Sequence, residues 1–218
     1  MKEKMNKKYA TADPFGVKTN PDDARRKTRI LAAIQNYIDT KRGGENFVRA
    51  LDIGCGEGWI TAELPAGEIT GYDISDVALL RVDPNIILTD SLHAGNIFGE
   101  YDLILAAGVM VEEYDYKTFI DYIEEHATGL VVVCQNAATE VEAVGWISGE
   151  QISYEEFPYG TGIQRLRCFN YASKDDPDLN DAVIPEPIEA NDPVDDPESP
   201  ITDSTTFRIE NEVEERNF

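Results

Sequence analysis

Basic residues are scarce in this chain: 19 Lys and Arg stand against 42 Asp and Glu in 218 residues, a formal net charge of -23. A protein that holds nucleic acid mainly through its phosphates needs a basic surface to release counterions, so that class is excluded as the expected partner. Long apolar runs are also missing. None approaches the roughly 20 residues of a membrane span, and Met1–Ala10 lacks the apolar core of a signal peptide. No membrane partner is expected. Cysteine is sparse too: Cys55, Cys134 and Cys168 are odd in number, far apart and without metal-ligand spacing. They fit a reduced, cytoplasmic protein. No CxxC or HExxH run suggests a catalytic metal. Histidine is limited to His93 and His126. His126 closes a helical pattern, where an imidazolium is favoured by the dipole, and reads as structural. His93 follows a predicted strand and is a secondary catalytic candidate.

Hydrophobic residues make up 42% of the chain, enough for a core. The charge is divided unevenly. Residues 1–50 carry a net +6, residues 51–173 a net -17, and residues 174–218 a net -12. The last block also holds six of the 11 prolines. Proline removes backbone donors and like charges resist compaction, so this tail is expected to be mostly disordered. The expected organisation is a basic N-terminal lid and helix over 1–44, a folded body over 45–173, and the acidic Pro-rich tail over 174–218.

Strand and helix patterns alternate through the first 173 residues. Asn20-Pro21-Asp22-Asp23 reads as a helix start, with Asn as N-cap, Pro at the first helical position and acids facing the positive end of the dipole. Ile30, Leu31, Ile34 and Ile38 recur at helical spacing, and Gly43-Gly44 ends the run. A buried strand is predicted from Phe47 to Ile53, with a short helix beginning near Trp59. Further strands are predicted over 68–73, 85–89, 101–107 and 129–135, and helices over 76–81, 115–127 and 137–146. Runs at 151–157 and 163–171 flank Pro158-Tyr159-Gly160-Thr161-Gly162 and read as an antiparallel hairpin. The predicted fold class is α/β: a doubly wound, mostly parallel, Rossmann-like sheet with a C-terminal antiparallel hairpin.

The main chemical signal is Ala50-Leu51-Asp52-Ile53-Gly54-Cys55-Gly56-Glu57-Gly58. A strand ending in G-x-G-x-G turns sharply and lets the backbone approach a ligand. Asp73 comes 19 residues after Gly54, at the end of the next predicted strand, where an acid accepts hydrogen bonds from ribose hydroxyls. Together these predict an adenosine-containing cofactor. A dinucleotide fingerprint needs its third glycine one position later, where Trp59 stands, and Glu57 would repel a pyrophosphate. A cationic or zwitterionic ligand suits the turn better.

These residues resemble motif I of the class I S-adenosylmethionine-dependent methyltransferases. The resemblance continues through Gly71-Tyr72-Asp73-Ile74-Ser75, Leu88-Thr89-Asp90-Ser91 and Tyr101-Asp102-Leu103-Ile104-Leu105, and it covers most of residues 45–171. It implies S-adenosylmethionine as cofactor. Gly54, Gly56 and Gly58 would pass beside its amino-acid portion and ribose, and Asp52 would support the amino group. Asp73 would bind the ribose hydroxyls, Ile74 would lie against the adenine, and Asp90 with Ser91 would meet the adenine amino group. Ala106 and Ala107 would line the floor near the sulfonium. Asp13-Pro14-Phe15, followed by Thr19-Asn20 and the basic helix, is similar to the N-terminal segment of the nodulation-type N-methyltransferases, which modify a glucosamine amine. That group usually has Trp where Phe15 stands.

The acceptor is expected beside the loop after the fourth strand, with Glu112 and Glu113 as candidates for a base or amine-orienting group. The same two acids also suit the approach to a helix capped by Asp115. Tyr9 and Phe15 are candidates for a lid over the cofactor. Amino-methylating DNA enzymes carry a D/N-P-P-Y/F/W type motif where this chain reads Ala106-Ala107-Gly108-Val109, and no Pro-Cys pair marks a cytosine-C5 enzyme. The expected function is therefore methyl transfer to a small-molecule or glycan acceptor, with an amine nitrogen favoured over a hydroxyl by the acidic body. The other reading is a non-catalytic module of the same fold whose acidic tail recruits a basic partner.

Overall fold

The computed structural model describes residues 1–92 and 99–171. His93 and the tail over 174–218, both singled out above, lie outside these. Strands β1 (Phe47–Ile53), β2 (Ala66–Tyr72), β3 (Ile87–Thr89), β4 (Tyr101–Ala107), β5 (Ala127–Asn136), β6 (Glu150–Tyr159) and β7 (Gly162–Asn170) form one sheet in the order β3-β2-β1-β4-β5-β7-β6. The first five are parallel; β7 runs antiparallel to β5 and β6 antiparallel to β7. The helices are α1 (Lys2–Lys8), α2 (Pro21–Lys41), α3 (Asp76–Leu79) and α4 (Tyr116–His126). This is the expected α/β sheet with its closing hairpin.

Period-two alternation sorts the strand side chains onto two covered faces. Leu103, Leu105, Leu130 and Val132 join Ile30, Ile34 and Ile38 of α2, while Ile104, Ala106, Val131 and Val133 join Phe119, Ile120 and Ile123 of α4. Both faces being buried explains why these strands read as unbroken apolar runs. The α2 start follows its sequence signals: the Asn20 side chain accepts the Asp22 N–H at 2.9 Å, with Pro21 next. Its end is closed by Arg42 and Gly44, whose N–H groups both reach the Ile38 carbonyl.

Two predicted helices shrink to single turns. The helix expected near Trp59 is only a 3₁₀ turn, Thr61–Glu63, because Pro65 and the start of β2 leave no room to propagate it. The helix expected over 137–146 shrinks to a 3₁₀ turn, Glu142–Trp146. Here the backbone donors are taken by tertiary and local acceptors: Ala137 N–H goes to the Ile163 carbonyl, Ala138 N–H to Asn136 Oδ1 and Val141 N–H to the Met110 carbonyl. Side chains and neighbouring strands thus outcompete the helical ladder. Conversely, α1 forms where no helix was expected.

The chain leaves β1, lays β2 and β3 to one side, and returns to place β4 on the other. That reversal opens a crevice at the C-terminal ends of β1 and β4, the usual ligand position in such sheets. At the opposite, N-terminal end of these strands, Asp102 fastens β1: its carboxylate accepts the Val48 and Arg49 N–H groups at 2.9 and 2.8 Å and pairs with Arg42 at 3.0 Å. A methyl placed on Gly129 of β5 would lie 2.3 Å from the Asp102 carbonyl oxygen. Gly129→Ala must therefore push β4 and β5 apart. The expected cost is about 2 kcal/mol or more, a fall of roughly 5 °C in Tm. Thermal unfolding followed by circular dichroism checks it, and an unchanged Tm would refute the crowding.

Candidate functional site

The crevice is built first by the backbone. Gly54 (φ 76°) and Cys55 turn over the end of β2, both donating N–H to the Tyr72 carbonyl at 2.7 and 2.9 Å. A methyl on Gly54 would meet Val109 Cγ1 at 2.1 Å, so the close approach of the post-β1 and post-β4 loops requires glycine. Asp73, 5% exposed, then ties the turn in place: one carboxylate oxygen accepts the Gly56 N–H at 2.9 Å and the other the Ser75 N–H at 2.8 Å. Burial raises its pKa, although the two N–H bonds oppose this. Each oxygen still has a lone pair for a further donor.

Asp52, 3% exposed, accepts the Thr61 hydroxyl at 2.7 Å. Burial pushes its carboxyl up to about 7, against the Thr61 hydrogen bond; nearby Asp73 raises it further and Arg26 lowers it. Arg26 comes from α2 and lies where a methyl on Gly108 would sit 3.5 Å from its Nη1. These groups surround a cavity of about 650 Å³ in which Arg26 is the only lining Lys or Arg among the described residues. Ile74, Met5, Tyr9, Tyr72 and Phe119 supply apolar walls. A deep acid, a facing guanidinium, an acid with two open lone pairs and an apolar slot suit a nucleoside bearing a zwitterionic side chain. No cluster of His, Cys, Asp and Glu among the described residues has the geometry to hold a metal.

The N-terminal segment crosses this cavity. Met5 and Tyr9 pack on Ala78 with Ile74 and Val77, and Ser75 Oγ donates to Asn6 Oδ1 at 2.8 Å. Arg81 donates to the Tyr9 carbonyl at 2.7 Å. Glu57 is the anchor: it accepts the Asp13 N–H at 3.0 Å and pairs with Lys18 at 3.2 Å and Arg81 at 3.0 Å. Burial works against its charge, but that N–H and the two cations hold its carboxyl below the ordinary range. The acid that seemed to face a ligand is therefore largely neutralised by the segment it clamps.

Of the residues singled out in the sequence, Asp52, Gly54, Gly56, Asp73, Ile74, Ala107, Tyr9, Phe15 and Glu113 line the cavity. Gly58, Asp90, Ser91, Ala106 and Glu112 do not. Gly58 instead lets the turn approach Val82 Cγ1, 2.8 Å from where a methyl would be. Asp90 pairs with Lys2 at 2.5 Å, which lowers its pKa. Ser91 N–H donates to Thr89 Oγ1 at 3.1 Å. Ala106 is buried on the α4 side of the sheet. Glu113 is exposed and lies 3.6 Å from Lys4, and Glu112 is exposed outside the cavity. His126 ends α4 with its ring 4.1 Å from that of Tyr122.

Sequence reasoning missed Asp23, Arg26 and Tyr159, which also line the cavity. The Tyr159 hydroxyl donates to Asp23 Oδ2 at 2.8 Å, and burial with this bond pushes the Tyr159 pKa up to about 12. Arg26 Nη2 lies 2.9 Å from Asp23 Oδ1. A signal existed: Asp23 is seven residues before Ile30 and shares its stripe with Ile30, Ile34 and Tyr37, all buried. An acid on an apolar stripe marks a buried polar site rather than a dipole partner.

No family model matches the chain. It is 31% identical over 117 residues to the ubiquinone biosynthesis O-methyltransferase of Nitrosomonas europaea, across 51% of this chain and 47% of that protein. The chain thus matches about half of that relative's length. Among solved structures it resembles the N-methyltransferase NodS from Bradyrhizobium japonicum in complex with S-adenosyl-L-homocysteine, with a TM-score of 0.63 and 20% identity over 78% of this chain and 97% of that one. It also resembles magnesium protoporphyrin IX methyltransferase from Synechocystis with bound S-adenosylmethionine, with a TM-score of 0.58 and 12% identity over 79% and 97% of the two chains. No helix among the described residues is long and apolar enough to cross a membrane. The strand order, the reversed hairpin and these likenesses agree: the chain has the fold of the class I S-adenosylmethionine-dependent methyltransferases.

Proposed function

We propose that the protein is an S-adenosylmethionine-dependent methyltransferase acting on a small-molecule or sugar acceptor, at an amine nitrogen in preference to a hydroxyl. The observation that carries this reading is the convergence of Asp73, Asp52 and Arg26 on one cavity at the crevice between β1 and β4. Asp73 keeps one open lone pair on each oxygen, matching the two vicinal hydroxyls of a ribose. Asp52 suits the ammonium of the methionine portion, and Arg26 its carboxylate. Ile74 and Met5 bound a slot for the adenine. When bound, S-adenosylmethionine supplies a methyl carbon on a sulfonium, which passes to the acceptor's lone pair as the bonding electrons stay on sulfur. The chain's own contribution is positioning and exclusion of water, by the loop pair at Gly54 and Val109 and by the clamped N-terminal segment. A neutral amine needs no base for its attack, whereas a hydroxyl usually does. The amine preference is supported by seven acids that line the cavity, Asp13, Asp23, Asp52, Glu57, Asp73, Glu113 and Asp115, against Arg26 as the only lining Lys or Arg among the described residues.

Asp73→Ala removes the proposed ribose contacts and is expected to weaken S-adenosylhomocysteine binding at least thirtyfold by calorimetry, about 2 kcal/mol. Equal binding in the variant would end this reading. Methyl transfer from labelled cofactor to paired amine and alcohol acceptors, with the product bond located by mass spectrometry, then tests the nitrogen preference. Transfer confined to hydroxyls would reverse it.

The Asp52 carboxyl, raised from 3.8 to about 7, generates a pH signature. Between these values the unfolded chain has released the proton that the folded chain still holds, so this residue's contribution to stability declines as pH rises from 4 to 7 and is flat above. Asp52→Asn in the ligand-free protein is accordingly expected to raise Tm at pH 8 and leave it unchanged near pH 4. An ammonium beside the carboxylate favours its ionised form, so S-adenosylhomocysteine binding should tighten from pH 6 to 7.5 in the wild type and change less in Asp52→Asn. A pH-independent difference between the two proteins would refute the raised carboxyl.

A further inference from the structure

We infer that Asp23, held by Tyr159, forms the acceptor subsite and takes an amine N–H on its open carboxylate oxygen. The inference deepens the methyltransferase reading and rests on it. Asp23 is 1% exposed, on the inner face of α2 beside the cavity. Its Oδ2 accepts the Tyr159 hydroxyl, but Oδ1 has no hydrogen-bond partner among the described residues, nor has Arg26 Nε. The 2.9 Å contact between Oδ1 and Arg26 Nη2 is an ionic approach outside hydrogen-bond geometry. Burying a carboxylate oxygen without a hydrogen-bond donor is costly, so this oxygen, on a residue that lines the cavity, would gain from a donor brought by a ligand.

The surroundings hold Asp23 rigidly. The hairpin tip is fastened to the start of α2 by Gly160 N–H donating to Asp22 Oδ2 at 2.8 Å and by Arg25 donating to the Pro158 carbonyl at 3.3 Å. Tyr159 therefore reaches Asp23 from a fixed direction across 136 residues of sequence. The cluster runs from the hairpin through Asp23 and Arg26 to Gly108, beside the post-β4 loop. Asp73 and Ile74, the proposed nucleoside contacts, follow β2 instead. The charges also select the form of the acceptor. Asp23 accepts an N–H, while the adjacent guanidinium disfavours a second positive charge, so the pair favours an amine in its neutral, nucleophilic form. A ring-bearing amine would further suit the aromatic wall of Phe15, Trp59 and Tyr159.

The test titrates benzylamine and benzyl alcohol into the full chain saturated with S-adenosylhomocysteine, using wild type, Asp23→Ala and Tyr159→Phe, with Tm confirming that each variant folds. Wild type is expected to bind benzylamine at least fivefold tighter than the alcohol. Asp23→Ala should lose that preference, and Tyr159→Phe should reduce it severalfold while keeping the ring. The dissociation constant for S-adenosylhomocysteine should stay within twofold in Tyr159→Phe, which leaves the Asp23–Arg26 pair in place. An absent preference in wild type, or an undiminished one in both folded variants, overturns the subsite while leaving the methyltransferase reading intact. A loss of S-adenosylhomocysteine affinity in Tyr159→Phe as large as its loss of amine preference overturns the subsite and assigns the Asp23–Tyr159 pair to the cofactor instead. No S-adenosylhomocysteine binding in wild type removes the parent reading and this inference with it.

Discussion

The two hydrogen bonds accepted by the Asp73 carboxylate, from Gly56 and Ser75, fasten the turn after β1 to the turn after β2. Gly54 and Cys55 share one carbonyl, and α3 has only four residues, Asp76–Leu79. With Asp73 between them, the glycine turn is pinned above the sheet edge, and Ser75 is set to cap α3 through its hydroxyl to the Ala78 N–H. That placement carries Ile74, Val77 and Ala78 into position to receive Met5 and Tyr9. One buried acid thus organises a loop, a helix start and the docking surface for the N-terminal segment. It does so while retaining acceptor capacity toward the cavity, which a purely packing contact would not provide.

The net charge acquires a local meaning from this arrangement. The basic N-terminal segment does not simply offset the acidic body. Lys2 meets Asp76 and Asp90, and Lys18 meets Glu57 together with Arg81. Exposed pairs such as Lys2 with Asp90 contribute little individually, typically about 0–1 kcal/mol. The Glu57 cluster is different in kind. Its carboxylate is 5% exposed and receives a backbone N–H as well as two cations, so removing either cation would leave a buried charge poorly matched. The residue that the sequence reading took as repelling a pyrophosphate is the fixed point of the covering segment.

The sheet was legible because its central strands bury both faces. For β1 and β4 the apolar runs mark the observed ends, Phe47–Ile53 and Tyr101–Ala107. The α2 boundaries were legible for a different reason, since Asn20, Pro21 and Gly44 carry local chemistry that does not depend on tertiary context. The segment α1 was not legible: seven residues with Met5 alone buried carry no periodic face, and its position depends on Ala78 and Asn6 contacts more than seventy positions apart in the chain or nearly so. The 137–146 segment failed as a helix because its donors had better acceptors on β7 and in the post-β4 loop, which lie beyond any local window.

Of the candidate site, the half made by motif and strand ends was readable, and the half made by α2 and the hairpin was not. Asp52 and Asp73 announce themselves because one lies just before the glycine turn and the other at the end of the next strand, spacing that a local motif displays. Asp23 looked like an ordinary first-turn acid, and Tyr159 like a residue beside a hairpin turn; only the folded chain brings them together at the cavity. This division follows from what each half must recognise. On the proposed assignment, the nucleoside and the ammonium are met by strand ends and the glycine turn, whose geometry a local motif encodes, and only the carboxylate by Arg26 of α2. The other wall joins a helix to a hairpin, and its character depends on long-range packing that no short run of residues can display. With Asp23 and Tyr159 as the proposed acceptor contacts, changes confined to the β6–β7 tip would vary the acceptor while the Asp73 fastening and Arg26 of α2 stay intact. The structural separation of those contacts is therefore a physical basis for varying the acceptor without rebuilding the sheet.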